Sequence, residues 1–209
     1  MKPVLLHPVY FGPIDYFCLL CQSTQITWEI KDNYQKQTYR TRQYIYGANG
    51  PLLLNIPIVH STSKKTASAY LETQIDNTEK WQRIHWKSLE SAYQSSPFFE
   101  FYADDLQPLF QEHYNFLFQF NRSCIHTVME CLGIDKLQAQ TQAYQSVYPQ
   151  EQINDLRGLT AAKRPAYMQL MPYRQVFDHK YGFLPNLSIL DLLFNLGPET
   201  GSYLQKIAL

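Results

Sequence analysis

Net charge is absent from this chain: eighteen Lys and Arg stand against eighteen Asp and Glu over 209 residues. A balanced chain has no broad electrostatic field, which argues against a nucleic-acid partner or an anionic membrane surface while leaving room for a local basic patch. Long apolar runs are missing too. Nothing approaches the ~20 uninterrupted apolar residues of a membrane span, and no basic segment followed by an apolar run and a small-residue cleavage site opens the sequence. The expectation is a soluble, cytoplasmic protein with no membrane span, and the length suits a single domain, residues 1–209, able to bury its own core. The phosphate-cradling G-x-x-x-x-G-K-[ST], the dinucleotide G-x-G-x-x-G, the nucleophile elbow G-x-S-x-G and the zinc-binding H-E-x-x-H are all absent, which argues against the well-marked enzyme classes.

Cysteine is scarce, with four residues at 18, 21, 124 and 131. Cys18 and Cys21 flank Leu19-Leu20 inside an apolar run, without the strand-to-helix entry and proline of redox motifs, and read as buried thiols. Cys124 and Cys131 are two helical turns apart, ~10 Å by the helical rise, too far for both sulfurs to lie ~2.3 Å from one zinc. No metal and no cofactor is expected. Aromatic residues are abundant, with sixteen Tyr, twelve Phe and three Trp. Most Phe positions fall into apolar stripes, so only the Tyr surplus hints at a ligand platform.

The most informative stretch is 36–60. Two β-rich runs flank Gly47-Ala48-Asn49-Gly50, and an Asn-Gly pair between such runs is a strong hairpin signal. With Asn49 and Gly50 as turn residues, Tyr46 opposes Leu53, Tyr44 opposes Asn55 and Arg42 opposes Pro57. Ile45 shares the apolar face with Leu52, Leu54, Ile56 and Ile58. By parity the other face carries Arg40, Arg42, Tyr44 and Tyr46, joined by Lys36 and Thr38 if the strand extends backwards. Arginine forks and a lysine on one face suit a phosphate or carboxylate, so Lys36, Arg40 and Arg42 are the expected anion site and an anionic small molecule the expected partner.

Around the hairpin the sequence predicts strands over 3–11 and 25–30, a short helix over 14–22 and another strand over 66–75. Near Asp76 the apolar period changes from two to 3.6. A helix near 79–94, opened by an Asp76/Glu79 capping box, places Trp81, Ile84, His85, Leu89 and Ala92 on one stripe. A long helix near 104–132 ends at Gly133, residues 137–182 mix a possible strand around 137–144 with a polar stretch over 149–164 and read as an excursion or lid, and Ser188 with Asp191 opens a helix divided from the last one by Gly197-Pro198. The fold class is therefore α+β, with a β-rich N-terminal half around the hairpin and a helical C-terminal half. Groups able to move protons or hold anions are His7, His60, His85, Lys36, Arg40, Arg42, Tyr10 and Tyr93. His85, walled by Trp81 and Tyr93, is the expected acid or base facing a cavity.

Tyr10-Phe11-x-Pro13, Lys36 followed by Arg42, and the Gly50, Leu54, Pro57 hairpin resemble the WbqC-like protein family. Trp81-x-x-x-His85, Tyr93 and Pro97-Phe98-Phe99 continue the likeness, as do Asn186-Leu187-Ser188 and Asp191 to Gly197. The chain departs from the family pattern at Thr41, where Asn is frequent, and at Gly12, inserted in the first element. The resemblance implies a role among bacterial surface-polysaccharide genes without an accepted reaction. Two functional readings follow: a transferase moving an acyl, aminoacyl or glycosyl group with His85 as catalytic residue and Tyr10, Lys36, Arg40, Arg42, Trp81 and Tyr93 binding substrate, or a non-catalytic binding or assembly protein of the same pathway.

Overall fold

Apolar runs too short to show any alternation build the centre of the molecule. In a computed structural model, which describes residues 2–59 and 68–208, Val4–Leu6 (β1) and Ile26–Trp28 (β2) pair in parallel with Val4 opposite Ile26. All three residues of β1 are buried, as expected of a strand covered on both faces. Ile14–Gln22 (α1) makes the crossover between the two strands. Its first turn is capped from far along the chain: the Asp15 amide donates to Asn186 Oδ1 at 2.9 Å, and Asn186 itself adopts φ 57°, a left-handed conformation Asn tolerates.

Two further parallel strands come from the stretch expected to be an excursion. Gln138–Gln140 (β5) pairs with β2 and Asn154–Asp155 (β6) pairs with β1, giving the order β5-β2-β1-β6. Gln138–Gln140 falls within the possible strand around 137–144, whereas a strand of two residues carries no periodicity to detect. The division into a β-rich first half and a helical second half is corrected accordingly, since the second half supplies both edges of the sheet. The segment is held by buried ion pairs: both guanidinium nitrogens of Arg164 lie 2.7 Å from the fully buried Asp15 carboxylate.

Arg42–Gly47 (β3) and Gly50–Asn55 (β4) form the expected antiparallel hairpin, as a separate two-stranded sheet. The register is displaced by two residues: Tyr46 opposes Pro51, Tyr44 opposes Leu53 and Arg42 opposes Asn55, with Ala48 and Asn49 as the turn. Gly47 is drawn into the ladder, and Gly50, at φ 99°, takes the left-handed conformation as the first residue of β4. A two-residue shift preserves parity. The faces nevertheless do not divide into core and solvent, because Tyr46 is fully buried while Leu52 is exposed.

Trp81–Tyr93 (α2) matches the predicted helix, although its N-cap is Lys80 and Asp76 instead accepts from the amide and hydroxyl of Thr78. The expected helix over 104–132 is broken into Phe99–Leu106 (α3), a 3-10 turn over Gln107–Phe110, an irregular stretch and Leu117–Cys131 (α4). Pro108 lacks the amide a continuing helix needs. Beyond it the backbone pairs elsewhere, Ile75 N with Asn115 O and Leu117 N with Thr73 O, both at 2.9 Å. His113, assigned to that helix's apolar stripe, is consequently exposed. Among the described residues no helix is long and apolar enough to cross a membrane, and no group of His, Cys, Asp and Glu could hold a metal. All four cysteines are free.

After Asp178–Tyr181 (α5), Ile189–Leu196 (α6) starts at Ser188, whose Oγ accepts from the Leu190 amide, and Thr200–Lys206 (α7) follows Gly197. Asp191 does not return to cap α6. Its buried carboxylate is held by Tyr93 Oη at 2.8 Å, Gln175 Nε2 at 2.9 Å and Tyr173 Oη at 2.5 Å. Gly197, at φ 54°, lies so close to the Phe98 ring that a Cβ would stand 2.5 Å from it. Gly197→Ala therefore combines a left-handed penalty with a clash, and is expected to lower unfolding free energy by about 2–4 kcal/mol in a urea denaturation.

Candidate functional site

Residues leaving the carboxyl ends of the four parallel strands converge on one polar cluster, the place where open parallel sheets bind ligands. His7 follows β1, Glu29 and Asp32 follow β2, Thr141 follows β5, and Asp155 and Arg157 lie at the end of β6. Arg40 joins them from a turn preceding β3. It is the largest fully buried side chain among the described residues.

Three atoms form the centre. His7 Nε2 lies 2.9 Å from Asp32 Oδ2, and Arg40 Nη2 lies 2.7 Å from the same ring nitrogen and 3.0 Å from the same oxygen. Arg40 also donates to Asn33 O at 2.8 Å and places its guanidinium 4.8 Å from the Tyr70 ring centroid. Behind it, Asn121 Nδ2 donates to Arg40 O and to Tyr70 Oη, both at 2.7 Å, and Tyr70 donates to Pro8 O at 2.6 Å. Beside this group, the fully buried Glu29 accepts from Thr141 at 2.8 Å and pairs at 3.5 Å with Arg157. Arg157 bonds Asp155 at 2.6 Å and stands over the rings of Tyr144 and Tyr148.

Burial disfavours a second cation beside Arg40. Desolvation pulls the His7 pKa from 6.5 to about 4, against the hydrogen bond to Asp32 and with the Arg40 charge. Burial alone would raise the Asp32 carboxyl, but hydrogen bonds from His7 and Arg40 and the Arg40 charge outweigh it and hold the group below the usual carboxylate range. At neutral pH the centre thus sets an ionised Asp32 and a neutral His7 beside the Arg40 guanidinium. Either neutral tautomer leaves His7 Nδ1 without a hydrogen-bond partner among the described residues, and Arg40 Nε and Asn121 Oδ1 are likewise buried and unpartnered.

The residues expected to form the site fall into separate places. Tyr10, Trp81 and His85 do meet: Tyr10 Oη lies 2.9 Å from His85 Nδ1, and the His85 ring centroid lies 5.2 Å from that of Trp81. His85 is buried, and desolvation lowers its pKa to about 4, opposed by a hydrogen bond with the Asn55 backbone. Phe11, buried at φ 40°, stores backbone strain beside Tyr10, of the order of 1–3 kcal/mol. Arg40 belongs with His7 and Asp32, so it is no part of an open basic face. The parity argument fails because β3 begins only at Arg42; Lys36 sits in a bend and is exposed, and Arg42 is half-buried with Nε 3.4 Å from Asn55 Oδ1. Tyr93 serves Asp191 and the Tyr46 amide. His60 lies outside the described residues. Asp155, Arg157, Tyr70 and Asn121 escaped the sequence reading; His7, placed just past an apolar run, and Arg40 carried readable signals.

The family model for the WbqC-like protein family matches residues 7–164. That span holds His7, Asp32, Arg40, Asn121 and Arg157, and it is most of the chain. The chain belongs to the WbqC-like protein family. This WbqC-like protein is 28% identical over 196 residues to uncharacterized protein Rv1507c of Mycobacterium tuberculosis (strain ATCC 25618 / H37Rv), covering 82% of this chain and 84% of that protein. No solved structure matches it.

Two outcomes test the electrostatics of this WbqC-like centre. Arg40→Ala leaves Asp32 buried without its cation and is expected to reduce unfolding free energy by about 3–5 kcal/mol, read by chemical denaturation. His7, with a folded pKa of about 4 against 6.5 unfolded, contributes stability that is present above pH 6.5 and lost as pH falls through about 4. Replacing it by Gln should flatten the stability profile over that window by up to about 3 kcal/mol, with His85 contributing a residual slope of the same sign.

Proposed function

We propose that the protein is a group-transfer enzyme acting on a small molecule at the carboxyl ends of the parallel strands, with His7 as its acid–base residue. One observation carries this reading: His7 Nδ1, Arg40 Nε and Asn121 Oδ1, three of the buried polar atoms without a partner, belong to a single network. Unsatisfied buried polar groups cost about 1–3 kcal/mol each, and their concentration where parallel sheets bind ligands favours a functional cause over a structural one.

The chemistry follows from the pairing. In the tautomer whose Nε2–H is donated to Asp32, Arg40 Nη2 donates to Asp32 Oδ2 and not to the ring; the Nδ1 lone pair can then take a proton from an attacking hydroxyl or amine, and Asp32 stabilises the imidazolium that results. Arg40 keeps Asp32 ionised and prevents protonation before substrate arrives. Tyr10 and His85 form a buried pair whose part is to hold the Tyr10–Pro13 turn beside this centre; the acid–base role expected for His85 passes in this reading to His7. Acyl, aminoacyl and glycosyl transfer all require such a proton acceptor, and the resemblance to the WbqC-like family supports a place in bacterial surface-polysaccharide assembly.

A second reading, a non-catalytic binding protein, draws on the fact that Asp32 and Arg40 already neutralise one another. A thermal-shift screen against nucleotides, nucleotide sugars, coenzyme A and amino acids identifies the stabilising ligands, since a ligand at 100 times its Kd adds about 2.7 kcal/mol. Incubating the stabilising pair with wild-type protein and following products by mass spectrometry then separates the two. The enzyme reading expects turnover that falls about 10²–10⁴-fold in His7→Asn, with the fold retained by circular dichroism. Turnover undiminished in His7→Asn would remove His7 from the chemistry, and binding without turnover would favour the binding protein.

A further inference from the structure

A groove runs between α4 and the sheet, next to the His7 centre. It consists of a cavity of about 300 Å3, lined by Pro8, Trp28, Arg122, Ile125, His126 and Gln138, and a second of about 360 Å3 that shares His126 and Gln138 and adds Glu130 and Asp135. Pro8 and Trp28 are the chain neighbours of His7 and Glu29.

The first cavity gathers donors. Arg122 is exposed and makes no ion pair or hydrogen bond among the described residues. Trp28 Nε1 donates to Gln138 Oε1 at 2.8 Å, which fixes the orientation of that amide and leaves its NH2 as the free end. His126 Nδ1 is engaged by Glu130 Oε2 at 3.0 Å, leaving Nε2. The walls are apolar, from Pro8, Ile125 and the nearly buried Trp28. The second cavity has the opposite character, because Glu130 and Asp135 are among its lining residues.

We propose that this groove binds a small molecule carrying one phosphate or carboxylate on an uncharged or amino-bearing body. Arg122 takes the anionic group with its planar fork, the Gln138 amide donates beside it, and the body extends toward Glu130 and Asp135. A second anionic group would meet those carboxylates and be repelled. Among the described residues the free cation lining the groove is thus Arg122, a residue outside the basic strand expected from the sequence. Binding stands on the groove alone; the further step, that this molecule is the substrate, rests on the reading of His7 above.

Nitrogen-15 NMR of the full chain tests the site, with the Trp28 indole signal assigned through Trp28→Phe. The probes are glucose 6-phosphate, glucosamine 6-phosphate, galacturonate and fructose 1,6-bisphosphate. A monophosphate or the uronate is expected to shift the Trp28 indole saturably, the two arms deciding between phosphate and carboxylate. Arg122→Ala and Arg122→Gln are expected to weaken that binding about tenfold or more, the loss typical of a charged donor, with the rest of the spectrum unchanged. The bisphosphate is expected to bind more weakly than the monophosphate, and Glu130→Gln with Asp135→Asn to narrow the gap. His7→Gln is expected to keep the binding, so failure of the acid–base reading and failure of this one are distinguishable. The proposal is overturned if no probe with a single anionic group shifts the Trp28 signal saturably, if both Arg122 variants bind as the wild type does, or if the bisphosphate binds as tightly as the monophosphate.

Discussion

A guanidinium with no exposed surface is the constraint around which the rest of the structure is arranged. Removing a cation from water costs several kcal/mol even after relaxation, so Arg40 is tolerated only with its partners in place. Those partners come from everywhere: Asp32 and Asn33 from the loop after β2, His7 from the end of β1, Tyr70 from a 3-10 turn and Asn121 from α4. The cluster selects one relative arrangement of sheet, turn and helix where apolar packing alone would allow several. Burial in this cluster, and to a smaller extent the Arg40 charge, keeps His7 neutral.

The local elements were legible to the degree that their patterns were long enough to repeat. The hairpin, α1, α2 and the start of α6 followed from turn chemistry, caps and apolar spacing. What failed were inferences that extended a pattern past the point where the backbone changes course. Parity carried backwards from Arg42 put Arg40 on an open face, whereas the chain turns at 39–41 and folds that side chain inward. Helical spacing carried from Phe110 to Phe116 ignored the competition of residues 73–75 for the same backbone groups. The strand β5 lies within the possible strand around 137–144, but its ladder partner, and β6 altogether, had no pattern to read, because their place is set by Ile26–Trp28 and Val4–Leu5.

The same reasoning separates the two buried histidines. His85 has the sequence context of a site, flanked by aromatics on a helix, and that context gives it rings and the Tyr10 hydroxyl as neighbours. His7 has no such context, and acquires Asp32 and Arg40 through tertiary structure alone. Residue spacing locates groups that share an element; it says nothing of groups that meet across a sheet edge. Membership of the WbqC-like family adds the span over which such a meeting is expected to recur.

The position of β1 has a consequence for how the chain is made. Val4–Leu5 lie at the centre of the sheet, yet one neighbour is the strand at Asn154–Asp155, and the helix after β1 is capped by Asn186. At roughly 5–20 residues per second, β1 waits about 8–30 s after leaving the ribosome before that partner emerges. During vectorial synthesis it pairs with β2 alone, one edge open and α1 uncapped. Until residues 154–155 emerge, β2 is the one native ladder partner available to β1.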